Sequence, residues 1–282
     1  MTRISSAIFG LFAVAGLGGC DAVDRSESGK SRHGATSGWN LVWHDEFDSG
    51  GINMTNWGHD VSGWGGGNNE LQYYTDRLVN SFTEDGCLVL QAVREDYVGS
   101  EGYREFTSAK LWTRDKQSWL HGRIEIRARL PSGQGIWPAF WMMPVDTTYG
   151  GWAASGEIDI MESSGHQQNT VHGTLHYGGR WPHNVHSGSS LELSDSDFSG
   201  GFHNFALEWD TSAFRWYVDD SLYQVQTDWM TAGFEYPAPF DRPFYLILSL
   251  AVGGNWPGSP DSTTVFPQRL WIDYVRAYSA ND

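Results

Sequence analysis

The segment Gly156-Glu157-Ile158-Asp159-Ile160-Met161-Glu162-Ser163 places three carboxylates within eight residues, with apolar side chains between them. It reads as a β-strand. Side chains on a strand alternate faces, so Glu157 and Asp159 share one face and strict alternation sends Glu162 to the other. A single β-bulge at Ile160-Met161 resets the alternation and returns Glu162 to the first face. The two glutamates then stand about four strand steps apart, roughly 13 Å between Cα atoms at ~3.3 Å per residue. Each arm leans about 4 Å toward the other, which leaves the carboxyl groups roughly 5 Å apart. A nucleophile and an acid acting with retention on one acetal carbon need about 5–5.5 Å, whereas inversion needs about 6.5–9.5 Å to admit a water. Asp159 between the glutamates opposes their joint ionisation, so that one is charged while the other keeps its proton. An acidic strand edge facing solvent or holding a metal would carry the same residues, and the segment alone leaves that reading open.

Other strand signals surround this one. Gly122–Leu130 alternates Ile124, Ile126, Ala128 and Leu130 against charged residues, as a half-buried strand does. Residues 202–210 and 214–225 continue the pattern, with a hairpin turn at Asp219-Asp220-Ser221. Residues 243–252 are almost continuously apolar, as for a strand covered on both faces, and 270–279 form a last strand. No convincing helical run is present. Aromatic residues at 15% and 34 glycines suit strands joined by many turns, hence an all-β sandwich or jelly roll.

The formal net charge of −16 argues against nucleic acid as a partner, because that needs a cationic footprint. It does not disfavour a neutral polysaccharide, and fifteen tryptophans offer flat faces for sugar rings. Residues 1–19 read as a signal peptide: a basic start, then an apolar run too short to span a bilayer as a mature helix. The run ends in Leu17-Gly18-Gly19-Cys20, resembling a bacterial lipoprotein signal in which Cys20 is lipidated. Export across the inner membrane and anchoring to a membrane, periplasmic or at the cell surface, are expected. Residues 20–38 are small and polar and read as a flexible tether; residues 39–282 read as one catalytic domain, expected as a monomer.

Nine ordered blocks carry a family resemblance. They are LVWHDEF (41–47), GGGNNELQYYT (65–75), FTSAKLWT (106–113), HGRIEIRARLPSGQGIWPAFWMMP (121–144), GEIDIME (156–162), GTLHY (173–177), FHNFALEWD (202–210), LILSLAVGGNWPG (246–258) and FPQRLWIDYVRAY (266–278). Together these resemble glycoside hydrolase family 16 over essentially Trp39 to Ser279, and the extra Met161 resembles its laminarinase branch. The resemblance implies a concanavalin-like β-jelly roll with a concave substrate cleft, and a retaining endo-β-1,3-glucanase acting on β-1,3-glucan. It implies Glu157 as nucleophile, Glu162 as acid/base and Asp159 as the assisting residue, with no cofactor for catalysis. Trp137 and Trp141 match cleft positions, and their spacing of four keeps them on one strand face. Asn69 and Glu70 match the loop and strand edge beside the donor subsites. His176 matches a polar position near the acid/base, and Asn255 and Trp256 match a cleft loop. A structural Ca²⁺ is implied at Glu46, Asp273 and the Gly86 carbonyl on the convex face.

Departures and alternatives remain within this reading. Ala153 stands where a proline usually follows the tryptophan, and Asp220 where the hairpin usually has glycine. Residues 177–200, with Trp181, form the most variable loop of the family. His166, His172, His176, His183 and His186 raise a zinc site as an alternative. No cysteine joins them and no helical spacing orders them, so a hydrogen-bonded histidine on the cleft wall is the expectation. Agarase, carrageenase or mixed-linkage glucanase activity on the same fold, or a non-catalytic glucan-binding protein, are the alternative functions. The three intact acids weigh against the last.

Overall fold

The computed structural model describes residues 38–281. In chain order the strands are Trp39–Asp45 (β1), Gly58–His59 (β2), Gln72–Tyr74 (β3), Ser81–Glu84 (β4), Cys87–Gly99 (β5) and Gly102–Ser108 (β6). Next come Lys110–Trp112 (β7), Gly122–Arg129 (β8), Ile136–Pro144 (β9), Glu157–Glu162 (β10), Thr170–Gly178 (β11) and Asn184–Glu192 (β12). The remainder are His203–Trp209 (β13), Phe214–Val218 (β14), Ser221–Gln226 (β15), Phe244–Val252 (β16) and Gln268–Ala280 (β17). No helix occurs among the described residues.

The strands form two sheets. One runs β15-β14-β13-β8-β17-β5-β6-β3, with β1 added on β17 and β4 on β5. The other runs β12-β11-β10-β9-β16-β7-β2 and contains the acidic strand. Alternation decides which side chains meet between them. Phe140 and Met142 of β9 and Leu246, Leu248 and Leu250 of β16 share a buried core with Ile124 and Ile126 of β8, Phe205 and Leu207 of β13 and Trp216 of β14. This is the β-sandwich expected from the sequence, with a core made from the inner faces of both sheets. Eight of the nine β16 residues are buried, as its apolar run predicts.

The hairpin between β14 and β15 turns at Asp219 and Asp220, which have φ of 48° and 63°. Two successive positive φ values give a turn whose twist matches the flanking strands. Asp219 holds it in place by accepting from the Asn204 backbone N–H at 2.9 Å, so the turn forms without the usual glycine. Residues 177–200, expected as a loop, contain a strand: Gly178 ends β11, and β12 pairs with β11 from Asn184 to Glu192. Its small polar residues are half-buried or exposed on both faces, which removes the apolar alternation that would have revealed a strand.

Candidate active site

The bulge is present where the carboxylate spacing requires it. Along β11, Asp159 pairs with Thr174 and Glu162 with His172, so three steps on β10 oppose two on its partner. Along β9, Asp159 pairs with Trp141 and Met161 with Phe140, which places the extra residue at Ile160-Met161. Both of these side chains go into the core. The outward face of β10 therefore carries Glu157, Asp159 and Glu162 together. The bulge is fixed from the opposite sheet, where the buried Trp216 donates its indole N–H to the Asp159 backbone carbonyl at 2.9 Å. Gly173 makes room for that ring, since a Cβ there would lie 2.4 Å from it.

The three acids line a cavity of about 410 Å³. Each carboxylate is held differently. Trp152 donates its indole N–H to Glu157 Oε2 at 2.7 Å, and His176 Nε2 lies 3.9 Å from Glu157 Oε1. Trp137 donates to Glu162 Oε1 at 3.1 Å. Asp159 is 2% exposed; His176 Nε2 lies 3.2 Å from its Oδ2, but off the line of a hydrogen bond, and that oxygen has no hydrogen-bond partner. Burial raises all three carboxyls, each to about 8. For Glu157 the charge of Asp159 adds to burial, while His176 and the Trp152 N–H pull the other way. For Glu162 Asp159 again adds to burial, opposed by Trp137 and His176. The acids thus titrate as one coupled set and do not all lose their protons together.

The aromatic walls come mainly from β9. Trp137 and Trp141 are both partly exposed and line the cavity on the same strand face. Trp141 is anchored by donating to Ser249 Oγ at 3.1 Å, so neither ring is core. Trp256 is 42% exposed and stands edge-on to Trp137, with ring centroids 5.3 Å apart. Asn255 reaches across to Asn69, accepting from its side-chain amide at 2.9 Å. Asn69 is exposed and is not part of the cavity lining; its neighbour Asn68 is. The cause is local: Asn69 takes a positive φ of 58° after three glycines with positive φ, which turns its side chain into a clasp between two loops. Glu70 lines the cavity and accepts from Gln72 Nε2 at 2.6 Å and Tyr74 Oη at 3.2 Å. His176 faces Glu157 across the β10–β11 pair.

Sequence reasoning passed over three residues here. Trp152, noted only for the alanine after it, holds Glu157. Lys110 brings a cation to the cleft, 2.5 Å from Asp60 Oδ2 and 4.9 Å from the centre of the Tyr74 ring. Trp64 lines the cavity and is 62% exposed. An exposed large indole beside a run of glycines is the one signal that could have marked Trp64 in advance.

Of the expected calcium positions, the two carboxylates, Glu46 and Asp273, face guanidinium groups, while Gly86 sits in the turn between β4 and β5. Register brings Glu46 beside the stretch of β17 that carries Asp273, because Asp45 pairs with Val275, and brings the Gly86 turn to the same stretch, because Leu88 pairs with Ile272. Arg276, however, donates through Nε to Glu46 Oε1 at 2.9 Å and through a terminal nitrogen to Oε2 at 3.0 Å. Arg127 donates to Asp273 Oδ2 at 2.7 Å. Carboxylates already matched by guanidinium groups do not fit the hard, anionic oxygen shell that calcium takes, and no step of the chemistry is assigned to an ion there. Glu46→Gln strands a largely buried guanidinium and should cost about 2 kcal/mol, a fall in Tm of roughly 4–8 °C. Differential scanning calorimetry should give the same fall with calcium or with chelator present. A fall seen only with calcium would restore the metal.

Carboxylates that differ in their hydrogen bonding beneath indole faces are equipment for cutting a glycosidic bond, and the protein is of the glycoside hydrolase class. Comparison with known proteins narrows this. The family described as glycosyl hydrolases family 16 matches residues 67–275, and the chain belongs to it. A beta-glucanase of Rhodothermus marinus is 43% identical over 283 residues, covering 95% of this chain and 93% of that protein. Glucan endo-1,3-beta-glucosidase A1 of Niallia circulans is 40% identical over 262 residues; the match covers 86% of this chain but only 38% of that longer protein. The solved laminarinase of Rhodothermus marinus superposes with a TM-score of 0.78 at 44% identity, over 86% of this chain and 98% of that one.

Proposed function

We propose that the protein is a retaining endo-β-1,3-glucanase that cleaves β-1,3-glucan by double displacement. The bulged strand carries this reading, because it puts two glutamates and an aspartate on one cleft face, as a nucleophile and an acid acting on one acetal carbon require. The names of the similar proteins supply the substrate class. Glu157, with an indole N–H and an imidazole to favour its ionised form, attacks the anomeric carbon. Glu162 protonates the leaving oxygen, and a glycosyl ester forms on Glu157. Glu162 then takes a proton from water, which attacks the same carbon and frees Glu157. Asp159 lies between them and shifts their protons by its charge. Trp137, Trp141 and Trp256 offer faces for the sugar rings, with Glu70 for hydroxyls.

Export and lipidation at Cys20 belong to the same proposal, as does a monomer tethered by residues 20–38. Residues 1–37 lie outside the described residues, and the support is the Leu17-Gly18-Gly19-Cys20 pattern alone. A product assay tests the enzyme reading. The purified protein is incubated with laminarin, lichenan, agarose and κ-carrageenan, and oligosaccharides and anomeric configuration are followed. Rapid release of short β-configured oligosaccharides from laminarin is expected. Activity confined to a galactan would move the substrate, and inverted products would remove Glu157 as nucleophile.

A further inference from the structure

We propose that Glu157, Asp159 and His176 also form a binding site for a zinc-like divalent cation, which closes the cleft to substrate. One ligand atom from each of the three can be chosen so that all lie within 4.8 Å of one another. The imidazole nitrogen is already 3.2 Å from Asp159 and 3.9 Å from Glu157. A tetrahedral ion with ligands at 2.0–2.1 Å separates them by about 3.3 Å, so a small rotation of Glu157 completes the set.

An independent observation points to a ligand. Asp159 Oδ2 is a buried acceptor with no hydrogen-bond partner, on a side chain 3% exposed, and it is aimed at the space between the other two. Such an atom is costly to leave unmatched. His176 Nδ1 is buried and unpartnered as well, so no hydrogen bond commits the proton to Nε2 and its lone pair is available. One nitrogen with two oxygens suits zinc, whereas calcium and magnesium call for more oxygens. The surroundings orient the ligands: Trp152 holds the other oxygen of Glu157 at 2.7 Å, and its ring stands 5.6 Å from the His176 ring. The fourth position opens to the cleft, where water would complete the shell in the space a sugar ring would need. Of the five histidines that raised zinc from sequence, one serves, and the two acids supply what the others do not.

Binding of the ion stands without the hydrolase reading; the blocked turnover rests on it. Glu162→Gln leaves all three ligands in place and removes hydrolysis, so it is the protein to titrate. Calorimetry with Zn²⁺ and visible absorption with Co²⁺ should report one site per chain with a four-coordinate cobalt spectrum. Adding His176→Ala to that variant should weaken zinc binding by more than about 100-fold, beyond the loss of a supporting hydrogen bond. Adding Asp159→Asn, which keeps the shape, should weaken it strongly too. Adding His186→Ala should leave it within about three-fold, the ordinary scatter of context effects. A laminari-oligosaccharide should lower zinc affinity, and zinc should lower oligosaccharide affinity by the same factor. Unchanged zinc binding after His176→Ala, or simultaneous binding without interference, overturns the site. Glucan left uncut by the wild-type protein while zinc still binds through His176 would sink the hydrolase reading and keep the metal site.

Discussion

Glu162→Gln loses hydrolysis of laminarin by about 1,000-fold, within the range that general acid–base catalysis contributes, and keeps its affinity for the glucan. The amide preserves the shape and can still accept from Trp137, which now donates to Glu162 at 3.1 Å. What it cannot do is give a proton to the departing sugar. An aryl glucoside with a good leaving group needs no such proton, so its first step survives and the ester on Glu157 accumulates. Azide, which attacks without a general base, then restores turnover and yields a glycosyl azide of retained configuration. Glu157→Gln fails on both substrates because no ester can form. Laminarin turnover near the wild-type rate by Glu162→Gln would reassign the acid, and azide without effect would remove the ester from the scheme.

The same substitution stabilises the fold, and the gain grows with pH. Burial moves the Glu162 carboxyl from an ordinary 4.5 to about 8, so between these values the native state holds a proton that the unfolded chain has released. Stability contributed by such a group is present in full below pH 4.5 and falls as the pH rises toward 8. Gln carries no proton to lose. The variant should match the wild type near pH 4 and exceed it by about 4 kcal/mol at pH 8, a rise in Tm of roughly 8–16 °C. Melting curves across this range decide the matter. A constant difference would mean that Glu162 is not the group burdened by burial. Stability held back at a reaction centre in this way is the usual relation between function and fold.

Much of this was legible from local pattern. The bulge followed from three acids in six positions, since no unbulged strand can face them together. The two-sided burial of β16 followed from its apolar run. What escaped notice lacked a local period. Glu46 and Arg276 are 230 residues apart, and nothing in either segment announces the other. Trp152 and Lys110 matter through where the fold carries them, one from a turn and one from a three-residue strand. The Asn68–Asn69 reversal depended on backbone angles set by the preceding glycines. The edge strand β12 hid because its residues are mostly small and polar, although Leu191 packs against the core.

Trp216 belongs to the sheet opposite the acidic strand, yet it grips the carbonyl at the kink of β10. The contact that holds the acids in register is therefore distinct from the rim loops beside the cleft. Rim loops can be lengthened, cut or redecorated to suit another polymer while the distance between nucleophile and acid stays as it is. The outcome of the reaction is written in the layer between the sheets, and the choice of substrate at its edge.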